Sequence, residues 1–577
     1  MATPSTLPST PQTTFVTLPE SEKRAEPVPV KRDWRFWAII VSLGMCNILF
    51  SLEFSTVATA MPRIAEALPS AGGAYIWVGT AYNLGSTVLL PLCGGLSQIF
   101  GRKAVMLAGI ALFILGSALC GAAKSMDSLL GGRTVQGIGG GVVSALIQII
   151  VADLVPLKDR GTFNGILALC VPSFCDFSSS QLYSVYALSG SIGPVVSGAL
   201  AEEGKWRWLF YMSLPISGCA LALVVLFLHL KTPPAPPGVS GKLLRLDVFG
   251  NAILIGSTTA ITLALTWGGV QYAWDDSRVL ACLVIGVVGL GAFVVYEALV
   301  PQFPIVPIGM IMTRTSLSGY AQNFLNALIL SAFSFWLPLY FQACKLASPI
   351  ASGVDFFGGS QVLSPSAALA GFVIQRLGRY RLPMWCGWVF AIIGAAALGH
   401  VQATPDSPRQ TTLGLEALLA VGVGINYLAG FFPILAPIPV AQNAAALAFF
   451  IFTRHFGYIW GVTIGGAILQ NRLVARLPAS FVAQFPASGN SATELAFEVI
   501  PLIRTLPQPL QDEVRQAFAS AFSVVWFVLA GVAGLGLLIS FAMKGLPLHT
   551  QMDEAYGRAD AGDGVGVRDG AADAEKA

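Results

Sequence analysis

Gly94-Gly-Leu-Ser-Gln-Ile-Phe-Gly-Arg-Lys103 is a short stretch wedged between two apolar runs, and its cadence returns in the second half of the chain. Gly94 is followed seven positions on by Gly101-Arg102-Lys103, and Gly371 seven positions on by Gly378-Arg379-Tyr380-Arg381. In both places the glycines and cations follow the second apolar run of a block of six. Glycine lets helix ends approach closely and adopt turns closed to other residues. Cationic side chains at such a turn reach neighbouring carbonyls or carboxylates. The echo predicts two similar helical bundles, with a solute held near the membrane midplane between them. Chance recurrence of the spacing is the competing explanation.

The apolar runs of the first block centre on 37–57, 75–97, 104–122, 129–151, 161–201 with an interruption, and 207–229. Those of the second lie at 317–341, 353–374, 383–401, 413–435, 443–469 and 518–543, and two more, 248–268 and 279–299, fall between the blocks. Runs of about 20 residues suit helices that cross roughly 30 Å of hydrocarbon. Of 577 residues 55% are apolar and 11% charged, against about 25% charged in soluble chains. The expected fold is therefore all-α integral membrane, with fourteen transmembrane helices. Its expected divisions are a disordered cytosolic tail (1–33), a six-helix bundle (34–230), a cytosolic loop with two linker helices (231–300), a second six-helix bundle (301–545) and a disordered cytosolic tail (546–577).

Lys and Arg in short loops favour one face: Arg102, Lys103, Lys158, Arg160, Lys231, Lys242, Arg245, Arg314, Arg376, Arg379 and Arg381. That face is expected to be cytosolic. The opposite loops hold the smaller set Arg63, Lys124, Lys205, Arg207, Arg278, Lys345 and Arg409. The first 35 residues are polar and proline-rich and do not read as a cleavable leader. A net charge of +3 gives no case for nucleic acid, and nine cysteines without a CxxC pair give none for a zinc site or a disulfide framework. Only four histidines, 229, 400, 455 and 549, stand far apart, which argues against a membrane metalloenzyme.

Several motifs accompany the opening stretch: Leu52-Glu-Phe-Ser-Thr-Val-Ala-Thr-Ala-Met-Pro62, Arg133-x-x-x-Gly137-x-Gly139, Gly193-Pro194-x-x-x-Gly198 and Leu263-Ala-Leu-Thr-Trp-Gly-Gly-Val-Gln-Tyr272. Together with Trp206-Arg-Trp-Leu-Phe210, Leu339-Tyr-Phe-Gln-Ala343 and Phe432-Pro-Ile-Leu-Ala-Pro437, they resemble the major facilitator superfamily, in its fungal fourteen-spanner drug:proton antiporter branch. The resemblance implies the major facilitator fold and export of a drug, toxin or secondary metabolite by alternating access. It further implies a proton gradient as the energy source, no cofactor, and residence as a monomer in the plasma membrane or the vacuolar membrane. The expected partners are a small amphipathic solute, protons and the lipid bilayer. Proton-coupled uptake of a small solute such as an iron chelate is the alternative, and a transporter-derived sensor would call for a folded cytosolic extension.

Two charges lie within the apolar runs singled out for chemistry. A carboxylate such as Glu53 costs about 2.5–3.5 kcal/mol at mid-depth, and taking up a proton removes most of that cost. Glu53 is thus a candidate proton-coupling residue, unless it lies solvated in the outer interface; the resembling family usually has Asp there. Arg133 cannot shed its proton and must be paired or reach water; the family links this arginine to proton transfer. Gly193 and Pro194 permit a kink and close contact, and the resemblance ties them to antiport, although Ser189 and Ser197 replace two family glycines. Gln98 stands where the family's loop has Asp, which leaves Asp153 as the candidate partner for Arg102. Gly94, Gly101, Arg102, Asp153, Gly193 and Pro194 are therefore the candidate gating residues. Asn83, Gln136, Gln322, Asn323, Asn326, Asn426 and Arg454 are the candidate lining of a mostly apolar substrate cavity, each alternatively an interhelical hydrogen-bonding group. His455 could titrate near neutrality or simply be packed. Cys170 to Ser184 interrupts the fifth run with polar residues and a proline. Without it Leu169 would lead directly into Val185, so it reads either as a retained intron or as a genuine re-entrant or cytosolic bulge.

Overall fold

The computed structural model describes residues 34–68, 75–169, 185–231, 246–268, 272–301, 304–306, 309, 313–482 and 500–548. The proline-rich loop 232–237, Cys170 to Ser184, and the tails up to residue 33 and from residue 549 lie outside them. Twelve crossings among the described residues are long and apolar enough to span a bilayer unaided. Two composite crossings bring the number to fourteen.

The first bundle runs α1 (Trp34–Ala67), α2 (Tyr75–Thr87), α3 (Leu90–Ile99), α4 (Arg102–Gly121), α5 (Met126–Leu154), α6 (Leu157–Leu169), α7 (Val185–Glu202), α8 (Trp208–Tyr211) and α9 (Ser213–Phe227). The two linker helices are α10 (Val248–Trp267) and α11 (Ser277–Leu299). The second bundle runs α12 (Arg314–Cys344), α13 (Pro349–Ser360), α14 (Leu363–Leu377), α15 (Arg381–Val401), α16 (Arg409–Ala429), α17 (Phe432–Leu435), α18 (Asn443–Arg476), the short turn α19 (Ala479–Val482) and α20 (Leu510–Ser540).

The second crossing, expected as one helix, is broken at Val88 and Leu89. Pro91 at the start of α3 has no amide to donate to the Thr87 carbonyl, and the neighbouring Val88 carbonyl accepts from Asn251 Nδ2 of α10 at 3.1 Å. In the fifth crossing, α6 packs along α14 and α7 along α13, so the two pieces follow successive parts of one partner. The linker helices pack on each other. α11 turns Leu280, Val284, Ile285, Val288 and Val295 outward, as a lipid-facing surface requires.

Backbone contacts between the bundles explain the repeated glycines. A Cβ on Gly94 would stand 3.2 Å from the Ala445 Cα of α18, and one on Gly371 would stand 2.6 Å from the Gly161 carbonyl oxygen. The repeat thus places matching glycines at the two places where the bundles meet on the Arg102 side, hereafter the basic face. Gly101 and Gly378 then turn the chain with φ of 86° and 63°, a region that disfavours side chains. Towards the opposite face a Cβ on Gly353 would stand 2.5 Å from the Pro194 carbonyl oxygen, and Gly198 abuts the Pro349 carbonyl. The halves are closed on each other at both ends, which is an occluded arrangement.

Candidate functional site

Ser125 caps α5 with a capping box, and Arg133 comes seven residues after the first helical residue, Met126, about 10 Å below the helix start at 1.5 Å per residue. Glu53 lies 19 residues into α1, about 29 Å from the other side by the same rise. Counted from opposite faces, the two depths meet within a bilayer about 40–45 Å thick with its headgroups. Both residues are 2% exposed. Arg133 Nη1 donates to Glu53 Oε1. The same nitrogen reaches Gln136 Oε1 at 2.8 Å, and Arg133 Nε donates to the Val78 carbonyl at 3.1 Å. The guanidinium sits over Tyr82, 4.5 Å from the ring centroid. Glu53 is not solvated at an interface, and Arg133 is paired rather than reaching water, because each charge answers the other inside the bundle.

Gln136 extends this network by donating to Ser117 Oγ at 2.9 Å, and Ser117 donates to the Phe113 carbonyl. Beside Arg133 a cavity of about 30 Å³ separates the two bundles, bordered by Val57, Ala58, Tyr82, Asn83 and Arg133 on one side and by Ser331, Ser334, Phe335 and Val462 on the other. Sites for organic ligands occupy roughly 300–1,000 Å³, so this cavity has no room for such a substrate and the halves must part there to admit one. Wider apolar clefts of about 370 and 390 Å³ lie between the linker helices and the second bundle and carry none of the candidate residues.

Of the seven side chains expected to line the cavity, Asn83 borders it and the other six do not in this conformation. Gln136 belongs to the Arg133 network. Gln322 accepts from Trp388 Nε1 at 2.8 Å. Asn323 donates to the Phe450 carbonyl at 2.8 Å and accepts from Arg454 Nε at 3.1 Å. Asn326 donates to the Val423 carbonyl at 3.3 Å. Asn426, with its amide nitrogen towards the Met384 carbonyl, accepts from the Trp388 amide at 3.1 Å. Arg454 donates to the Tyr427 carbonyl and lies 3.9 Å from the Tyr427 ring centroid. Gln136 thus joins helices of the first bundle and the other five join helices of the second, which leaves Asn83, Ser331 and Ser334 beside Arg133 and Tyr82 as the polar lining.

Other groups tie the two halves together. His455 on α18 lies with Nδ1 2.5 Å from Ser86 Oγ and Nε2 3.3 Å from Ser144 Oγ, so one imidazole joins the second bundle to α2 and α5. Gln375 donates to Asp159 Oδ1 at 2.7 Å, a cross-bundle bond at the position that repeats Gln98. At the basic face Arg102 Nε donates to Asp153 Oδ2 at 3.0 Å, and its Nη1 reaches Ser97 Oγ. Arg160 donates to the Ala152 and Val155 carbonyls at the end of α5. Gly193 and Pro194 are buried in α7, and Ser197, which replaces a family glycine, donates its hydroxyl to the Thr56 carbonyl of α1. Glu416 and Asp355 were not singled out from sequence; each is an acidic residue in or beside an apolar run, the same signal that Glu53 gives.

Known proteins agree with this architecture. The description of the Major Facilitator Superfamily matches residues 43–462. The MFS-type efflux pump MMF1 of Pseudozyma antarctica is 34% identical over 90% of this chain and 92% of its own. The efflux pump FUS6 of Gibberella moniliformis is 33% identical over 93% of each chain. Among solved structures, the human organic anion transporter MFSD10 superposes with a TM-score of 0.53 at 14% identity, covering 88% of this chain and 100% of its own. The proton:xylose symporter XylE does so at 0.53 and 12%, covering 89% and 98%; these two likenesses speak for the fold alone. Two bundles closed around a central ion pair and a family match over more than two thirds of the sequence lead to one assignment: the chain belongs to the Major Facilitator Superfamily.

Proposed function

We propose that this transporter exports a small amphipathic organic compound, a drug, toxin or secondary metabolite, in exchange for protons, with Glu53 as the proton-loading carboxyl. The observation that carries the reading is the Glu53–Arg133 pair at the edge of a cavity lined by both halves. Full-length fungal relatives with efflux in their names support the outward direction, as does Gly193-Pro194 in the wall where the bundles meet.

The chemistry follows from the two side chains. With Glu53 ionised, its charge and that of Arg133 cancel and the halves can close on a dry centre. A proton on Glu53 turns the strongest acceptor of Arg133 into a neutral group, while the guanidinium keeps its charge. Removing one partner of a buried pair costs about 3–5 kcal/mol, similar to the few kcal/mol that separate conformations of such a protein. Arg133 also borders the cavity, so a solute arriving there and a proton arriving at Glu53 act on the same guanidinium. Val57, Ala58, Phe335 and Val462 offer apolar surface, and Asn83, Ser331 and Ser334 a few directional groups, which suits amphipathic molecules. The proton gradient supplies the energy, and the plasma membrane is the proposed site of action, with the chain working as a monomer.

Glu53→Gln tests the reading. The variant is expected to fold, to exchange labelled compound across vesicles without a gradient, and to lose export driven by a pH gradient. Near-normal gradient-driven export by that variant would remove Glu53 from the coupling role.

A further inference from the structure

A second buried carboxyl lies outside this site. Glu416, on α16 within the second bundle, is 0% exposed, and neither of its oxygens has a hydrogen-bond partner among the described residues. Thr412, one turn earlier on the same face, is also 0% exposed, and its Oγ1 is likewise unpartnered. The Glu416 carboxyl rests against Gly359 of α13, where a Cβ would overlap its Cδ. The small residue therefore makes the space that the carboxyl fills.

One turn before Gly359 on α13 stands Asp355, 3% exposed. Arg409, at the start of α16, pairs with it across the helix gap while keeping a side chain that is 57% exposed. Asp355 thus puts a second carboxyl on the helix that Glu416 packs against. At the Arg409 end of the helices packed against α16, the other titratable groups are His400 on α15 and Tyr340 and Cys344 on α12. An ionised carboxylate with no donor in an apolar bundle, and with a second carboxylate nearby, is the costliest state available to it. A bound proton removes that charge.

We infer that Glu416 is a second proton-binding site, in the second bundle, reached from the face opposite Arg102 by way of the Arg409–Asp355 pair. A proton on the Asp355 carboxyl passes to the Glu416 carboxylate through an intervening water, each O–H bond that breaks being matched by one that forms. Arg409 favours the ionised form of Asp355 and so limits the passage. The binding site stands on its own geometry; only its use in transport rests on the proton-exchange reading.

Infrared difference spectroscopy of the full-length protein in lipid nanodiscs tests this directly, through the carbonyl band of protonated carboxyl groups and its shift in D₂O. The wild type at neutral pH is expected to show a protonated carboxyl band that disappears in Glu416→Gln and persists in Glu53→Gln. Should Glu416→Gln fail to fold, Glu416→Asp is expected to move the band. Asp355→Asn is expected to slow its exchange in D₂O at least several-fold, and Arg409→Ala to speed it. A band unchanged by Glu416→Gln or Glu416→Asp, or one lost in sodium relative to choline buffer, overturns the assignment. An exchange rate indifferent to Asp355→Asn overturns the route. Loss of driven export in Glu53→Gln with this band intact bears on the first site and leaves the second standing.

Discussion

Replacing Glu53 by Gln leaves Arg133 buried at 2% exposure with the Gln136 oxygen at 2.8 Å, the Val78 carbonyl at 3.1 Å and the Tyr82 ring. Those contacts solvate the guanidinium in part, so the cost belongs at the lower end of the about 3–5 kcal/mol expected when a buried pair loses one member. Arg133→Gln strands the carboxylate instead, at a similar cost. The double variant Glu53→Gln/Arg133→Gln puts two neutral amides in the same space, where they can bond to each other. It is expected to recover most of the loss. With a residual double loss of about 1 kcal/mol, the resulting coupling is about 5 kcal/mol, roughly 4,000-fold in an unfolding constant at 1.4 kcal/mol per decade. Unfolding in mixed micelles of rising dodecyl sulfate content, followed by the fluorescence of the chain's 12 tryptophans, measures all four corners of the cycle. Losses that add to within about 0.5 kcal/mol, as for independent sites, would show that the two charges do not act on each other in the folded protein.

The bundle contacts make three further predictions. Gly371→Val overfills the contact with Gly161 and is expected to open the basic face, whereas Gly353→Val overfills the contact with Pro194 and is expected to open the opposite one; labelling of single cysteines placed near the cavity from each side reads the difference, and identical patterns would contradict it. His455→Ala removes two cross-bundle hydrogen bonds, worth about 0.5–1.5 kcal/mol each, and is expected to raise labelling near the cavity about 5-fold or more without loss of expression; unchanged labelling would make the histidine mere packing. Arg102→Gln removes the guanidinium that pairs with the buried Asp153 and is expected to lower transport more than Arg102→Gln combined with Asp153→Asn; a double variant no better than the single one would deny the pairing.

The fold was legible because a membrane leaves few choices for a backbone, and fourteen charge-poor runs advertise themselves. Gly94 and Gly371 were legible as a repeat, but their reason, contact with Ala445 and Gly161 across the bundle boundary, is a matter of three dimensions. The break at Val88 depends on Pro91 and on Asn251 of a distant helix, and an apolar run read as continuous hides it. Glu53 and Arg133 could each be picked out as an intramembrane charge. Their union could not, since 80 positions separate them. The amides show the opposite case: Gln322, Asn326 and Asn426 look the same in sequence whether they face a cleft or a neighbouring helix, and the structure puts them against helices. Glu416 was overlooked although its signal equals that of Glu53, because no surrounding motif drew attention to it.

The most direct test of the central claim follows proton and solute in one vesicle. Purified protein in proteoliposomes carrying an internal pH dye is supplied with a panel of hydrophobic fungal metabolites under an imposed proton gradient. The account predicts that a transported compound moves against the proton flow, and that Glu53→Gln abolishes both fluxes together. Compound and protons crossing in the same direction, or compound accumulation that ignores the gradient, would contradict it.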